Sequence, residues 1–291
     1  MEIKGQYLFL DNQLTSVSDF TSPVSNRKIS IYEVVRVIDG IPLFLEDHLA
    51  RLKNSASLLH SGITISFRKL AVQIRELVVV NNISNGNVKI IFSFPEIDSG
   101  KVETQIYLFF IPHKYPTEKI IRKGFTTKTL TIERPEPNAK VFNKLLTEQV
   151  AEIKRKELID EVLLVRHDGI ITEGSKSNIF FVRNNKLITA KRNLVLPGIT
   201  RQKVIELCKS HQIICLETEI YQYELKNMES AFITGTSIKV MPINKIDNYW
   251  MDVEHPLIYK IKNLYDKLLE NYIKSFEISK LPDEYVGLQF P

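Results

Sequence analysis

Three two-residue turns, Asp39-Gly40, Asp168-Gly169 and Asn184-Asn185, each stand between runs of apolar and β-branched residues. Such pairs tolerate the positive φ angles of a tight antiparallel turn, so each closes a β-hairpin. Around the first, Ile31 to Ile38 reads as a strand and Ile41 to Leu45 returns from it. A helix follows from Glu46 to His60, with Leu49, Leu52, Ala56 and Leu59 at helical spacing and Gly62 placed as a C-terminal cap. A second helix starts after Ser66, with Phe67, Leu70, Ile74 and Leu77 on one face. Val88 to Phe94 and Gln105 to Ile111 read as strands, completing an α+β unit over residues 1–115.

Residues 116–137 carry weaker strands and then Pro135-Glu136-Pro137, which continues neither a helix nor a central strand. They read as the connection to a second domain, 138–291. That domain opens on a helix from Ala139 to Leu158, with Phe142, Leu145, Gln149, Val150 and Ile153 sharing a face. Strands follow at 161–166 and 170–172, then a hairpin of 178–183 with 186–189. After Leu196-Pro197-Gly198, Thr200 opens a helix to His211; strands at 213–220 and 231–234 and a last helix, Pro256 to Tyr272, complete the domain. Strands and hairpins outnumber crossover helices, so this domain is not doubly wound.

Composition narrows the chemistry. The net charge of +5 is spread along the chain, and its densest cluster, Lys154-Arg155-Lys156, is flanked by Glu152 and Glu157. That pattern is a solvated helix face rather than a stripe that tracks phosphates, so no nucleic-acid partner is expected. Apolar runs such as Ile106 to Pro112 are too short for a bilayer, so no membrane partner is expected. The opening MEIKGQYLFLDN has no basic stretch followed by an apolar one, and a cytoplasmic location is the expectation. Cys208 and Cys215 are too few for a disulfide framework. The six histidines are isolated and no H-E-x-x-H occurs, which argues against a metal site. Neither G-x-G-x-x-G, a P-loop nor G-x-S-x-G is present.

What remains is a series of segments in order: YEVVRVIDGIPLFLEDHLARLKNSA at 32–56, Lys140-Val-Phe-Asn, DGIITEGSKSNIFFV at 168–182, LPGITR at 196–201 and FITGTSIKVMPI at 232–243. Together they resemble the class IV (fold type IV) pyridoxal-phosphate enzymes, which include branched-chain and D-amino-acid aminotransferases and aminodeoxychorismate lyase. The resemblance spans nearly the whole chain, and EGS-x-SN-x-F followed by LPGITR is its most specific part. It implies a smaller N-terminal α/β sandwich and a larger C-terminal pseudo-barrel, pyridoxal 5′-phosphate as cofactor, amino and keto acids as substrates, and a homodimer with its site near the interface.

Residue by residue, the resemblance makes Lys140 the lysine that holds the cofactor's aldehyde. Such a lysine must be partly desolvated so that its neutral amine can attack a carbonyl. Lys144, one helical turn on, competes for that role. Glu173 matches the carboxylate that pairs with the pyridine nitrogen; a carboxylate there favours the protonated ring, which is the better electron sink. Arg51 matches a phosphate-binding arginine, on the helix but off its apolar face. Ile199 and Thr200, after Gly198, offer backbone amides and a hydroxyl at a helix start, and Thr236 offers a second hydroxyl turn. Tyr32 matches a pocket aromatic, or else a strand core residue, and the amides of Thr236-Ser237 could receive a substrate carboxylate.

Two places depart from the pattern. Ser93-Phe94-Pro95 stands where many members carry Ser-Arg-Gly or Thr-Arg-Gly, whose arginine holds a substrate carboxylate. Ile29-Ser30-Ile31 replaces a Gly-Asp-Gly. Three readings therefore stay open: an aminotransferase, a lyase that releases pyruvate, and a catalytically silent relative.

Overall fold

A computed structural model describes residues 2–20, 30–59, 66–94 and 104–281. His60, Gly62, Ile29 and Pro95, which figured in the sequence reading, lie outside the described residues. The chain divides into two compact units: residues 1–114, 139–142 and 269–291 form one, and residues 115–138 and 143–268 the other. The short segment around Lys140 thus belongs with the N-terminal residues, a boundary that the sequence drew differently.

The first unit contains β1 (Lys4–Leu10), β2 (Gln13–Ser16), β3 (Ser30–Ile38), β4 (Ile41–Pro42), α1 (Leu45–Leu58), α2 (Phe67–Asn81), β5 (Gly86–Ser93) and β6 (Gln105–Ile111). Its strands form one antiparallel sheet in the order β2-β1-β6-β5-β3-β4. Alternation along β3 sends Ile31, Val35 and Val37 into a core with Leu45, Leu49 and Leu52 of α1 and Phe67, Ile74 and Leu77 of α2. Phe94 joins the same core, so the residue standing where an arginine was expected is a packing group. On the opposite face Leu8, Ile91, Tyr107 and Phe109 form a smaller apolar cluster, with Tyr32 against it. The Ser66 hydroxyl accepts from the Lys69 N–H, the cap read from the sequence. Asp39 and Gly40 take positive φ values of 51° and 78°, as their hairpin requires.

The second unit contains α3 (Glu118–Lys123), β7 (Phe125–Thr131), α4 (Lys144–Glu157), β8 (Glu161–Val165), β9 (Ile171–Gly174), β10 (Asn178–Arg183), β11 (Lys186–Ala190), α5 (Ile199–Ser210), β12 (Cys215–Thr218), β13 (Ser230–Gly235), β14 (Lys239–Ile246) and β15 (Tyr249–Trp250). α6 (Pro256–Ser275) ends the series, its residues from Leu269 counting with the first unit. Six strands run β10-β13-β14-β7-β8-β9, and β9 returns to β10 through the pair Glu173 and Asn178, which closes a barrel-like ring. Inward-facing Leu163, Ile171, Phe181, Ile233, Met241 and Ile243 fill it.

Two sequence expectations change here. Residues 125–131 do not merely connect domains: β7 pairs in parallel with both β14 and β8 and is a stave of the ring. The helix expected from Ala139 starts only at Lys144, capped by Asn143, whose side chain accepts from the Leu146 N–H. Before it, Val141 bridges to Ile31 of β3; the Tyr32 N–H donates to the Lys140 carbonyl at 3.1 Å and the Phe142 N–H to that of Ser30 at 3.0 Å. β-Pairing of this stretch with the edge of the first sheet overrides its helical periodicity. Accordingly Leu146 and Val150 are the buried face of α4, while Phe142 and Leu145 are exposed.

Candidate active site

In the first unit Lys140 is held by its backbone, which receives the Tyr32 N–H and donates its own N–H to the Ser55 hydroxyl at 3.1 Å. Its ammonium lies 5.3 Å from the centre of the Tyr32 ring, within cation–π range. Lys144, the competing lysine, projects from the start of α4 with its side chain 58% exposed, 3.9 Å from Glu148. Of the two, only Lys140 has the partly desolvated, aromatic surroundings that an amine nucleophile needs.

Arg51 departs from the sequence reading. It does not lie off the apolar face of α1 in water; it is 2% exposed and locked to Glu33 of β3. Its Nε donates to Glu33 Oε1 at 2.7 Å and its Nη2 to Oε2 at 2.6 Å, a bidentate pair. His48, one helical turn earlier, meets the same Oε2 through Nδ1 at 2.7 Å. Burial pushes the Glu33 carboxyl up, but the Arg51 charge and the hydrogen bonds from Arg51 and His48 outweigh it and hold Glu33 well below the usual carboxylate range. Burial lowers His48, against the pull of Glu33, so the imidazole is neutral near pH 7 and donates from Nδ1. The HLAR segment therefore places one charge pair and a neutral ring in the core. Nothing in its periodicity announced Glu33, because a strand carboxylate at an inward position is legible only once its partners are known.

In the second unit Glu173, at the end of β9, is 2% exposed. Its Oε1 accepts from Arg134 Nη1 at 2.6 Å; its Oε2 accepts from Asn178 Nδ2 at 3.1 Å and from the Leu196 N–H at 2.9 Å. These three partners are all donors, as suits an ionised carboxylate. Asn178 also donates to the Leu196 carbonyl at 2.9 Å, so one side chain ties the EGS-x-SN segment to LPGITR. Gly198 is required by space rather than by φ: a Cβ there would overlap Asn178 Oδ1. Arg134 was missed because it stands in a stretch read as a connection, and Asn178 because a motif residue does not declare its partner.

Gly198, not Thr200, caps α5, and the first intrahelical bond is Gln202 N–H to Gly198 carbonyl at 2.9 Å. The Ile199, Thr200 and Arg201 amides thus stand in the turn whose N–H groups have no helical acceptor. Thr200 is buried, with its hydroxyl 3.3 Å from that of Tyr265. Thr236 and Ser237 are half-buried in the turn joining β13 to β14, where Gly235 pairs with Lys239. Asn178 pairs with Glu173 on one side and Thr234 on the other, so this turn, Glu173 and the start of α5 share one end of the ring. Arg201 serves the fold, donating from Nη2 to the Ala190 carbonyl at 2.7 Å and to Glu217 at 2.6 Å.

Among the described residues no group of three or more His, Cys, Asp or Glu could hold a metal ion, and no helix is long and apolar enough to cross a membrane. A family model described as amino-transferase class IV matches residues 30–246. The chain is 28% identical over 237 residues to a D-alanine aminotransferase of Bacillus licheniformis, covering 75% of this chain and 78% of that one. It is 29% identical over 243 residues to a probable branched-chain-amino-acid aminotransferase of Thermotoga maritima, covering 82% and 85%. A crystal structure of the branched-chain aminotransferase of Thermoproteus uzoniensis with norvaline superposes with a TM-score of 0.81 at 24% identity, covering 93% of this chain and 98% of that one. The last likeness establishes the fold.

Proposed function

The chain belongs to the class IV amino-transferase family, and on that premise we propose that it binds pyridoxal 5′-phosphate and moves an amino group between an amino acid or amine and a 2-keto acid. The observation that carries this reading is Glu173: a buried carboxylate surrounded by donors and tied by Asn178 to the start of α5. The donor set fits the cofactor, with a half-buried amine at Lys140, an acceptor for a protonated ring nitrogen at Glu173, and amides at a helix start for a phosphate.

In this reading Lys140 holds the aldehyde carbon, Glu173 meets the pyridine nitrogen, and the phosphate falls to the Ile199 and Thr200 amides, the Thr236 hydroxyl and Arg51. Glu33 orients the Arg51 guanidinium and neutralises its charge, so the helix amides carry much of the phosphate's stabilisation. Pyridoxal phosphate bound there supplies an electron sink for the pair left at the substrate α-carbon. Lys140 Nζ, once released as a free amine, takes the proton from that α-carbon and holds it for return. Glu173 keeps a proton on the ring nitrogen, and Arg134 with Asn178 fixes its carboxylate plane. Tyr32 walls the space beside Lys140, and the Thr236-Ser237 turn offers amides to a substrate carboxylate. The reading includes a homodimer, which the family resemblance implies, and the cytoplasmic location expected from the sequence.

The test is the visible absorbance of purified protein reconstituted with pyridoxal phosphate, then challenged with L-amino acids, D-amino acids and amines. We expect a lysine-bound band that is lost in Lys140→Ala, kept in Lys144→Ala, and bleached by one donor class in the wild type. A band kept in Lys140→Ala would overturn the assignment. Pyruvate released without a keto-acid acceptor would replace the transfer reaction with a lyase.

A further inference from the structure

A second ammonium shares the Tyr32 ring with Lys140. Lys89 of β5 places its Nζ 4.7 Å from the centre of the Tyr32 ring and 5.4 Å from that of Phe142, while Lys140 Nζ approaches the same Tyr32 ring at 5.3 Å. The register explains the position: Lys89 pairs with Val34 and Ile91 with Tyr32, so Lys89 and Tyr32 are diagonal neighbours on one face of the sheet. That face carries the apolar cluster of Leu8, Ile91, Tyr107 and Phe109, and the Tyr32 and Phe142 rings meet edge to face at 6.5 Å. The ammonium is thus set in an apolar and aromatic surround on a rigid strand, where an anion would be held more strongly than in water.

An amino acid whose α-proton passes to Lys140 Nζ carries its carboxylate one bond from that α-carbon. A carboxylate lying against the Tyr32 ring beside either ammonium is attracted by its charge. Arg51 is committed to Glu33, and Phe94 is packed in the core. We propose that Lys89 receives a carboxylate of the amino-acid substrate, and so sets the preference for amino acids over simple amines. This inference rests on the aminotransferase reading above.

The test compares wild type, Lys89→Met and Lys89→Arg in the donor half-reaction, followed as bleaching of the lysine-bound visible band. The donors are alanine, glutamate and sec-butylamine, an amine without a carboxylate. In Lys89→Met the amino-acid concentration for half-maximal rate should rise about tenfold to a hundredfold relative to that for the amine, the scale of one charge-assisted hydrogen bond. Lys89→Arg, which keeps the charge, should restore most of the preference. Weakening of alanine and glutamate alike identifies the α-carboxylate as the group held; weakening of glutamate alone identifies its side-chain carboxylate. A preference unchanged in Lys89→Met, or equal losses for amine and amino acids, would overturn the role of Lys89 while leaving the aminotransferase reading in place. A wild-type protein without the visible band would overturn both.

Discussion

Glu33 and Glu173 are both carboxylates withdrawn from water, and both are met by an arginine at 2.6 Å. They differ in what encloses that arginine. Arg51 is as buried as Glu33, and His48 completes a set in which side chains satisfy both carboxylate oxygens. Arg134 keeps 19% of its side chain exposed, and a backbone N–H from the LPGITR loop meets Glu173 directly. The first arrangement fixes α1 on β3 and holds the Arg51 guanidinium in one orientation. The second is anchored at an end of the ring, beside a helix start and a hydroxyl turn, the place that the proposed function gives to the cofactor. The same two residue types are enclosed by side chains in one unit and by a side chain and a backbone amide in the other.

The comparison predicts unequal costs. Glu33→Ala strands the Arg51 guanidinium in the core and should destabilise the first unit by about 3–5 kcal/mol in denaturant unfolding. Glu173→Ala leaves a partly hydrated Arg134 and should cost about 1–3 kcal/mol, while abolishing the extra thermal stability conferred by pyridoxal phosphate. A reversed order would break the comparison. Gly198→Ala forces a methyl group against Asn178 and should cost about 1–3 kcal/mol. Because Asn178 also holds Glu173, this variant should weaken cofactor binding in a titration, sharpening the link between the two segments.

The smallest effect is in pH. The folded His48 has its pKa below the ordinary 6.5, so on acidification the unfolded chain takes up that proton first and stability falls from pH 6.5 downward. The folded Glu33 lies below the ordinary 4.5, so its contribution is complete above that value and is lost on further acidification. In His48→Gln the thermal midpoint should lose its decline between 6.5 and 4.5 and keep the one below. A midpoint flat to pH 4 in the wild type would contradict the closed cluster.

Much of this was legible in the sequence because local rules decided it. The hairpins at Asp39-Gly40 and Asn184-Asn185, the Ser66 cap and the strand Gln105–Ile111 stand where turn chemistry, capping and patterning put them. The segment 139–142 was not legible, since its pairing with Ile31 is a long-range contact that competes with a helical pattern. β7 was hidden for a related reason: its Thr-rich sequence reads as a weak strand in a connection, yet two parallel neighbours make it central. Among candidate site residues, motif order pointed to Lys140 and Glu173, but not to Arg134, Glu33 or Lys89, which matter through partners distant in sequence.

The most direct measurement is the donor half-reaction of Glu173→Gln reconstituted with pyridoxal phosphate. The amide keeps the shape of the side chain but lacks the negative charge that favours a proton on the ring nitrogen. The account predicts a lysine-bound band that still forms, and bleaching by the preferred amino acid slowed by about 10²–10³-fold. Bleaching at the wild-type rate would contradict it, and would leave Glu173 a carboxylate that only holds the fold.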